Sequence, residues 1–397
     1  MATLKNSPGA ARLRPGTTAA PPKHGPRNAR NGKRINGDGP HGVTPDFLDL
    51  PGSRFAAVDL RTLHQMSERR VPKNYMPSSS RTVAGISFNP ENTRTRFVSR
   101  EGRDERNVRL ISRKKPFPFK AARPRKSFLM KKVADGSLYL AWPREGGYWI
   151  RPRQNRIEYR LFKGTPEAFL WDSVEGPLTA FMMALEGCPL FHGSAVKIGG
   201  KAVLFLGHSG SGKSTLAAEL TLRGFPLVSD DLLRFSEAAG QIKVWPGARH
   251  IRLWPESAKA LLKDAEKLPG VVPQAEKKRL AESRLPGGMA KGPVPVGEIF
   301  AFERSKACRS PRLQDLTLRK KWETLAEFLH LIKYDETPFL SAAFEEINTL
   351  ARRTTVRRLV IPDNLKSLKK TADFVLASVL RPDSAASGRV QSAAHRR

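Results

Sequence analysis

Ala202-Val203-Leu204-Phe205-Leu206-Gly207-His208-Ser209-Gly210-Ser211-Gly212-Lys213-Ser214-Thr215 is the stretch that decides the fold of this 397-residue chain. Five apolar residues run into a glycine-rich loop that satisfies G-x-x-x-x-G-K-[ST], and residues 216–222 continue as a helix. Strand, loop and helix in that order make a cradle for phosphate. Glycines let backbone N–H groups close around anionic oxygens, and the helix N-terminus adds its positive end. Gly207, Ser209, Gly210, Ser211, Gly212, Lys213, Ser214 and Thr215 are therefore the expected nucleotide-binding residues. Lys213 is expected to neutralise β/γ-phosphate charge and Ser214 to ligate Mg²⁺, with Thr215 packing at the helix start. His208 occupies a variable loop position and receives no role.

Outward from the loop, Gly224 closes the helix and Phe225-Pro226-Leu227-Val228-Ser229 leads to Asp230-Asp231. Adjacent carboxylates at a strand end would divide two tasks, a Mg²⁺ ligand and a base for an attacking hydroxyl. The competing assignment for such a pair is a helix N-cap before Leu232-Leu233. On the other side, residues 195–198 form a strand that turns through Gly199-Gly200 into 202–206, and His192 directly precedes this hairpin. Aromatic runs at 137–142 and 148–150 flank Arg144-Glu145-Gly146-Gly147 as a second hairpin, 156–161 alternates as a half-buried strand, and 175–185 has helical spacing. Met182 and Met183 are expected as core filler. Further on, 298–303 is strand-like, while 322–332 and 339–351 are amphipathic helices. The expected fold class is α/β, P-loop-containing, with a β-rich N-terminal part and C-terminal helices.

Charge is unevenly spread. The chain has 70 Lys+Arg against 37 Asp+Glu, a net +33, and residues 1–125 hold 26 basic and 9 acidic groups, about half of the excess. Four regions are expected: a basic, Pro/Gly/Arg-rich and disordered arm over 1–125, a P-loop domain over 126–305, a helical extension over 306–380 and a polar tail over 381–397. The arm could hold nucleic acid through phosphates, yet it lacks the interleaved aromatics that base stacking needs, so that partner ranks last. The apolar run 178–185 is broken by Glu186, Gly187 and Pro189 far short of a membrane span. Cys188 and Cys308 make neither a disulfide framework nor a metal cluster, which points to a reducing, cytoplasmic setting.

His192-Gly193-Ser194-Ala195-Val196, the loop 207–214 and Arg223-Gly224-Phe225-Pro226-Leu227-Val228-Ser229-Asp230-Asp231 resemble the catalytic domain of bacterial HPr kinase/phosphorylase and its serine-kinase-like relatives. The resemblance implies a phosphoenolpyruvate-carboxykinase-like core, use of ATP and Mg²⁺, and transfer to a protein or peptide hydroxyl. It would make Asp230 the acid/base, put Asp231 with Ser214 at the metal, and set His192 beside the transferring phosphate, with Lys213 in the loop. Trp245-Pro246-Gly247-Ala248-Arg249 and Ile251-Arg252-Leu253-Trp254-Pro255 extend the likeness, and Lys277-Lys278-Arg279 is a candidate cationic flap. Thr215 stands where full-length HPr kinases carry Glu, and the motif tied to phosphorylase activity is missing. The chain therefore resembles the shorter branch of the family, for which HPr itself is not the expected acceptor and the oligomeric state is open. The alternative is a P-loop ATPase or nucleotide switch without an acceptor, in which Asp230 or Asp231 orients water.

Overall fold

The computed structural model describes residues 81–84, 86–90, 106–118, 128–143, 145–271, 276–330 and 337–380. The first part is a seven-stranded sheet made of β1 (Arg81–Val83), β2 (Ile86–Pro90), β3 (Arg106–Ser112), β4 (Leu129–Lys132), β5 (Leu138–Trp142), β6 (Gly146–Arg151) and β7 (Arg156–Leu161), in the order β1-β2-β3-β7-β6-β5-β4. The β5–β6 hairpin forms where its aromatic runs place it, and Leu140 faces Tyr148 across it. A helical segment covers this sheet. It begins as α1 (Ala168–Ser173), passes through a π-turn over Val174–Leu178 and continues as α2 (Thr179–Leu185). Pro177 lacks an N–H, so the wide turn falls where an α-ladder bond could not be made. Trp171, Phe181, Met182 and Met183 are buried in one core with Leu140 and Ile157.

One expectation is corrected here. Strands β1 to β3 lie inside the span read as a disordered arm, and Phe88, Val108 and Leu110 belong to the core of this sheet. An apolar residue at alternate positions suffices to bury one face of a strand, and Arg-rich surroundings mask that signal in the composition. The rest of the arm (1–80, 85, 91–105 and 119–125), residues 126–127 and the tail 381–397 lie outside the described residues.

The second part contains β8 (Leu190–Ile198), β9 (Lys201–Leu206), α3 (Lys213–Leu222), β10 (Leu227–Ala238), β11 (Gln241–Val244), β12 (His250–Leu253), α4 (Pro255–Leu261), β13 (Lys278–Ala281), β14 (Val294–Ser305), β15 (Arg312–Asp315), α5 (Leu318–Glu327), α6 (Thr337–Arg353), β16 (Thr355–Pro362) and α7 (Leu368–Val379). Its seven-stranded sheet has the order β11-β10-β8-β9-β14-β16-β15, while β12 and β13 pair separately. Strands β9, β14 and β16 are parallel neighbours; β8 is antiparallel to both β9 and β10, so β10 runs in the direction of β9. Period-two alternation covers both faces. Leu204 and Leu206 pack with Leu325, Ile347 and Leu350 from α5 and α6, whereas Val203 and Phe205 pack with Leu216 and Leu220 of α3 and Val375 of α7.

This is a mixed α/β protein. The span 306–380 is not a helical extension: β16 pairs with β14 inside the sheet and α7 packs on α3, so this span completes the core that holds the glycine loop. Run 355–361 is hydrophobic enough for a parallel strand, but Arg357 and Arg358 interrupt it; both are neutralised, by Glu298 and Glu303 of β14.

Candidate functional site

The glycine loop bridges the end of β9 and the start of α3. Gly212 has φ 106°, a left-handed conformation that turns the chain into the helix and that a side chain would strain. Lys213 is buried and folds back over the loop, its Nζ donating to the Gly207 carbonyl at 2.6 Å and the His208 carbonyl at 2.9 Å. Burial pulls its pKa down to about 8; Asp230 and Asp231 oppose that, and Lys277 adds to it. Thr215 donates to or accepts from Ser257 at 2.9 Å beneath the helix start. His208 contacts Glu327 at 2.7 Å on the exposed side of the loop.

The acid pair sits within β10, not at its end, which removes the helix-cap alternative. Residues 230 and 231 face Ser194 and Gly193 of β8. Asp230 is buried and both its oxygens are engaged: Oδ1 accepts from Ser194 Oγ at 2.6 Å and Oδ2 from the Arg252 N–H at 3.0 Å. Asp231 has φ 84°, a backbone state stored inside a strand. Its partner position must be glycine, because a Cβ on Gly193 would lie 2.7 Å from both Leu233 Cδ1 and the Phe205 carbonyl oxygen.

Asp231 is partly exposed and held from two sides, by His192 Nδ1 at 3.1 Å and Arg252 Nη1 at 3.2 Å. Burial alone would raise its pKa, but the hydrogen bond and charge of His192, with Arg252 and Lys277, hold it well below the ordinary carboxylate value. Arg252 then reaches Asp172 of α1 through Nη2 at 2.8 Å. Burial disfavours its cation, yet Asp172 and Asp231 outweigh this and hold the guanidinium pKa above its usual value.

One cleft of about 250 Å³ gathers most of the expected residues: Ser209 through Thr215, His192, Asp230 and Asp231. Gly207 lies behind it as an acceptor for Lys213. Arg252, from the 251–255 run, and Lys277, from the candidate flap, line the same cleft together with Arg304, which the sequence had not singled out, and Asp172 and Ser194 hold its charged groups. Arg252 alternates with Ile251 and Leu253, a pattern that reads as solvent-facing. The cationic-flap expectation for 277–279 is also changed: Arg279 is buried on Glu175 at 3.2 Å, while Lys277 stays at the cleft.

Residues 185–249 match the family model of the HPr Serine kinase C-terminal domain. An HPr kinase/phosphorylase from an Exiguobacterium species is 40% identical over 81 residues, which is 20% of this chain and 26% of that protein. The chain thus spans about a quarter of that relative's length. Among solved structures, the Hpr(Ser) kinase/phosphatase from Coxiella burnetii aligns with 48% of this chain and 96% of its own at 15% identity and a TM-score of 0.26, too loose a likeness to bear on the fold. Around its glycine loop and acid pair the chain is HPr-kinase-like.

Proposed function

We propose that the chain is a cytoplasmic, Mg²⁺-ATP-dependent kinase that transfers the γ-phosphate to a serine or another hydroxyl of a protein or peptide. The observation that carries this reading is a buried lysine in a glycine loop sharing one cleft with two carboxylates. The residues fit a nucleotide: the loop is rich in amides, and Ser211 Oγ is buried with no partner among the described residues. They also fit Mg²⁺. Ser214 and Asp231 offer one hydroxyl and one carboxylate, and no cluster of three or more His, Cys, Asp or Glu among the described residues could cage a metal. Such a sparse set suits an ion that keeps water and phosphate oxygens as its other ligands. When bound, Mg²⁺ supplies charge neutralisation on those oxygens.

Lys213 exchanges its two carbonyl contacts for phosphate oxygens, which favours its protonated form. Asp230 takes the proton of the acceptor hydroxyl as the new oxygen–phosphorus bond forms and the bond to the departing nucleoside diphosphate breaks. Ser194 and the Arg252 N–H fix the carboxylate plane for that transfer. His192 is held by Asp231 through Nδ1, and its Nε2 is the atom assigned to the transferring group. The similar protein is named for HPr; Thr215 after the loop serine and the missing phosphorylase motif direct this chain to another acceptor, without reverse phosphorolysis.

The test is incubation with γ-labelled ATP together with a phosphoproteomic comparison of cells carrying the parent or Asp230→Asn. Label on a protein, with Asp230→Asn binding ATP within a few fold of the parent but losing transfer, is the expected result. Label released only as inorganic phosphate would replace the kinase by an ATPase. Parental transfer by Asp230→Asn would end the base assignment.

A further inference from the structure

The first sheet has a second face. Its helical cover lies on the side of Leu110, Ile150 and Ile157, so the period of two turns Arg109, Trp149, Arg151, Arg156 and Glu158 to the other side. The apolar cluster on that side is Phe117, Tyr139, Ala141 and Trp149 with Leu129, and none of these residues is helical. Register then lines up arginines. Arg109 of β3 stands opposite Arg156 of β7, and Arg156 stands opposite Arg151 of β6. Neighbouring strands lie about 4.8 Å apart, so the three stems form a row roughly 10 Å long. Like charges placed directly opposite one another destabilise a sheet.

Arg113, just past β3, and Arg153, in the turn from β6 to β7, extend the cluster. Two acids answer these five cations. Glu158 is buried and binds Arg113, Arg151 at 3.3 Å and Arg156 at 3.1 Å. Asp135 feels the charge of Arg151, but its Oδ1 is taken by the Ser137 N–H at 2.9 Å and by the Ser137 hydroxyl. The Nε atoms of Arg151 and Arg156 are buried and make no hydrogen bond among the described residues. Rings hold the surplus charge in place: the Arg151 guanidinium lies 3.4 Å from the Trp149 ring centre and that of Arg113 5.1 Å from the Phe117 ring centre. Tyr139 is fully buried and Trp149 only 8% exposed, so the face presents guanidiniums rather than open rings.

We infer that this face binds the sugar–phosphate backbone of a nucleic acid strand. Arginine offers a planar fork of N–H donors that matches phosphate oxygens in pairs, and a fork held by a ring loses little freedom on binding. Because the rings are covered, bases are not stacked, and the contact is to the backbone and not to the sequence. Stacking aromatics, which the arm lacks, are therefore not required. Phosphates follow one another at every nucleotide, and the arginines do the same across three strands. The chain leading into β1 does not supply the missing anions, since residues 1–80 hold 13 basic and 5 acidic groups. That excess calls for an external polyanion and adds cations to the same partner. The inference does not depend on the cleft or on the kinase reading.

The experiment measures binding of fluorescein-labelled oligouridylate and oligoadenylate RNA to the full chain by anisotropy, from about 50 to 200 mM salt. Arg109 and Arg153 are exposed, and their side chains have no partner among the described residues, so replacing them leaves the sheet's own contacts in place. The variants are Arg109→Gln with Arg153→Gln, Arg109→Lys with Arg153→Lys, and Lys259→Gln with Lys263→Gln, which removes two exposed charges beside α4 instead. The parent is expected to bind both oligonucleotides alike and to weaken steeply with salt. The arginine-to-glutamine pair should weaken both roughly five- to twentyfold at low salt and flatten the salt slope by about 0.7 for each lost phosphate contact. The arginine-to-lysine pair should keep most of the affinity, and the Lys259/Lys263 pair should stay within about twofold of the parent. A parent that binds neither oligonucleotide, a strong preference for one of them, or an arginine-to-glutamine pair that behaves like the parent or like the Lys259/Lys263 pair overturns the inference. Displacement of the RNA by polyglutamate at equal charge concentration also overturns it and assigns the face to an acidic protein segment.

Discussion

Arg252 is the residue on which the site's charges converge. Its side chain is 10% exposed, with one nitrogen on Asp231, another on Asp172 and Nε on His250 Nε2 at 3.3 Å. Removing the guanidinium would leave two partly buried carboxylates facing each other's field, so Arg252→Met is expected to cost roughly 2–4 kcal/mol in denaturant unfolding. Lysine should rescue little, since one ammonium cannot span both partners as a planar fork does. An unchanged unfolding midpoint for Arg252→Met would show that the carboxylates are solvated without it. Gly193 carries a second test. A methyl there meets Leu233, the Phe205 carbonyl and Leu206, all within 2.8 Å, and two of those contacts belong to β9, the strand that leads into the loop. Gly193→Ala must push β8 from a neighbour and move His192 and Asp231 together. Loss of phosphoryl transfer with folding retained is the expected result, measured by label transfer and circular dichroism; a fully active Gly193→Ala would mean that the strand spacing is not set there.

At the level of elements, the legible parts were those whose signal is local. The β5–β6 and β8–β9 hairpins carry glycine turns between apolar runs, and α3 follows a loop with a fixed residue pattern, so each could be read within about ten residues. Lys213, Asp230, Asp231 and His192 were visible for the same reason: one helix and short strands separate them. Asp172 and Arg252 were not, because 80 positions divide them and each looks like a surface residue in its own element. Strands β1 to β3 and β16 were hidden by interspersed charge, such as the consecutive Arg357 and Arg358, and by pairing with residues far along the chain. The helical segment starting at Ala168 was read too short because Pro177 signals a boundary that the π-turn bridges. A prediction belongs here. Deleting residues 1–125 removes β3 from beside β7 and takes Phe88, Val108 and Leu110 from the core, so the truncated protein should be insoluble or melt lower by roughly 10 °C or more. A truncated protein that melts with the full chain would show that these strands contribute nothing to the sheet.

Across the whole molecule, acids on the helical segment that covers the first sheet meet basic side chains on the β12–β13 pair. Asp172 takes Arg252, and Glu175 takes Arg279 at 3.2 Å with His250 at 3.7 Å. The first sheet is thereby joined to the cleft through charge. Glu145, in the β5–β6 turn, lies beside this junction: it accepts from Tyr148 Oη at 2.5 Å and from Ser173 Oγ, next to Asp172. Burial pushes its pKa up from 4.5 to about 7, against the two hydrogen bonds and with help from the Asp172 charge. A carboxyl whose folded pKa exceeds its unfolded value binds its proton more tightly when folded, so stability falls as pH rises from about 4.5 to about 7. Other groups overlap that window. Burial also lifts Glu346 to about 7, and it lowers His330 to about 4, which gives the opposite slope because the unfolded histidine takes up the proton first. Asp231, held well below the ordinary range, changes only in stronger acid. The clean measurement is therefore a difference: unfolding free energy of Glu145→Gln minus that of the parent, by urea titration at several pH values. Gln stays neutral throughout, so the difference should grow in favour of the variant as pH rises through the window and level off above it. The slopes from Glu346 and His330 cancel because both proteins share them. A pH-independent difference would mean that Glu145 titrates alike in the folded and unfolded chain, and that the junction between the first sheet and the cleft is open to water.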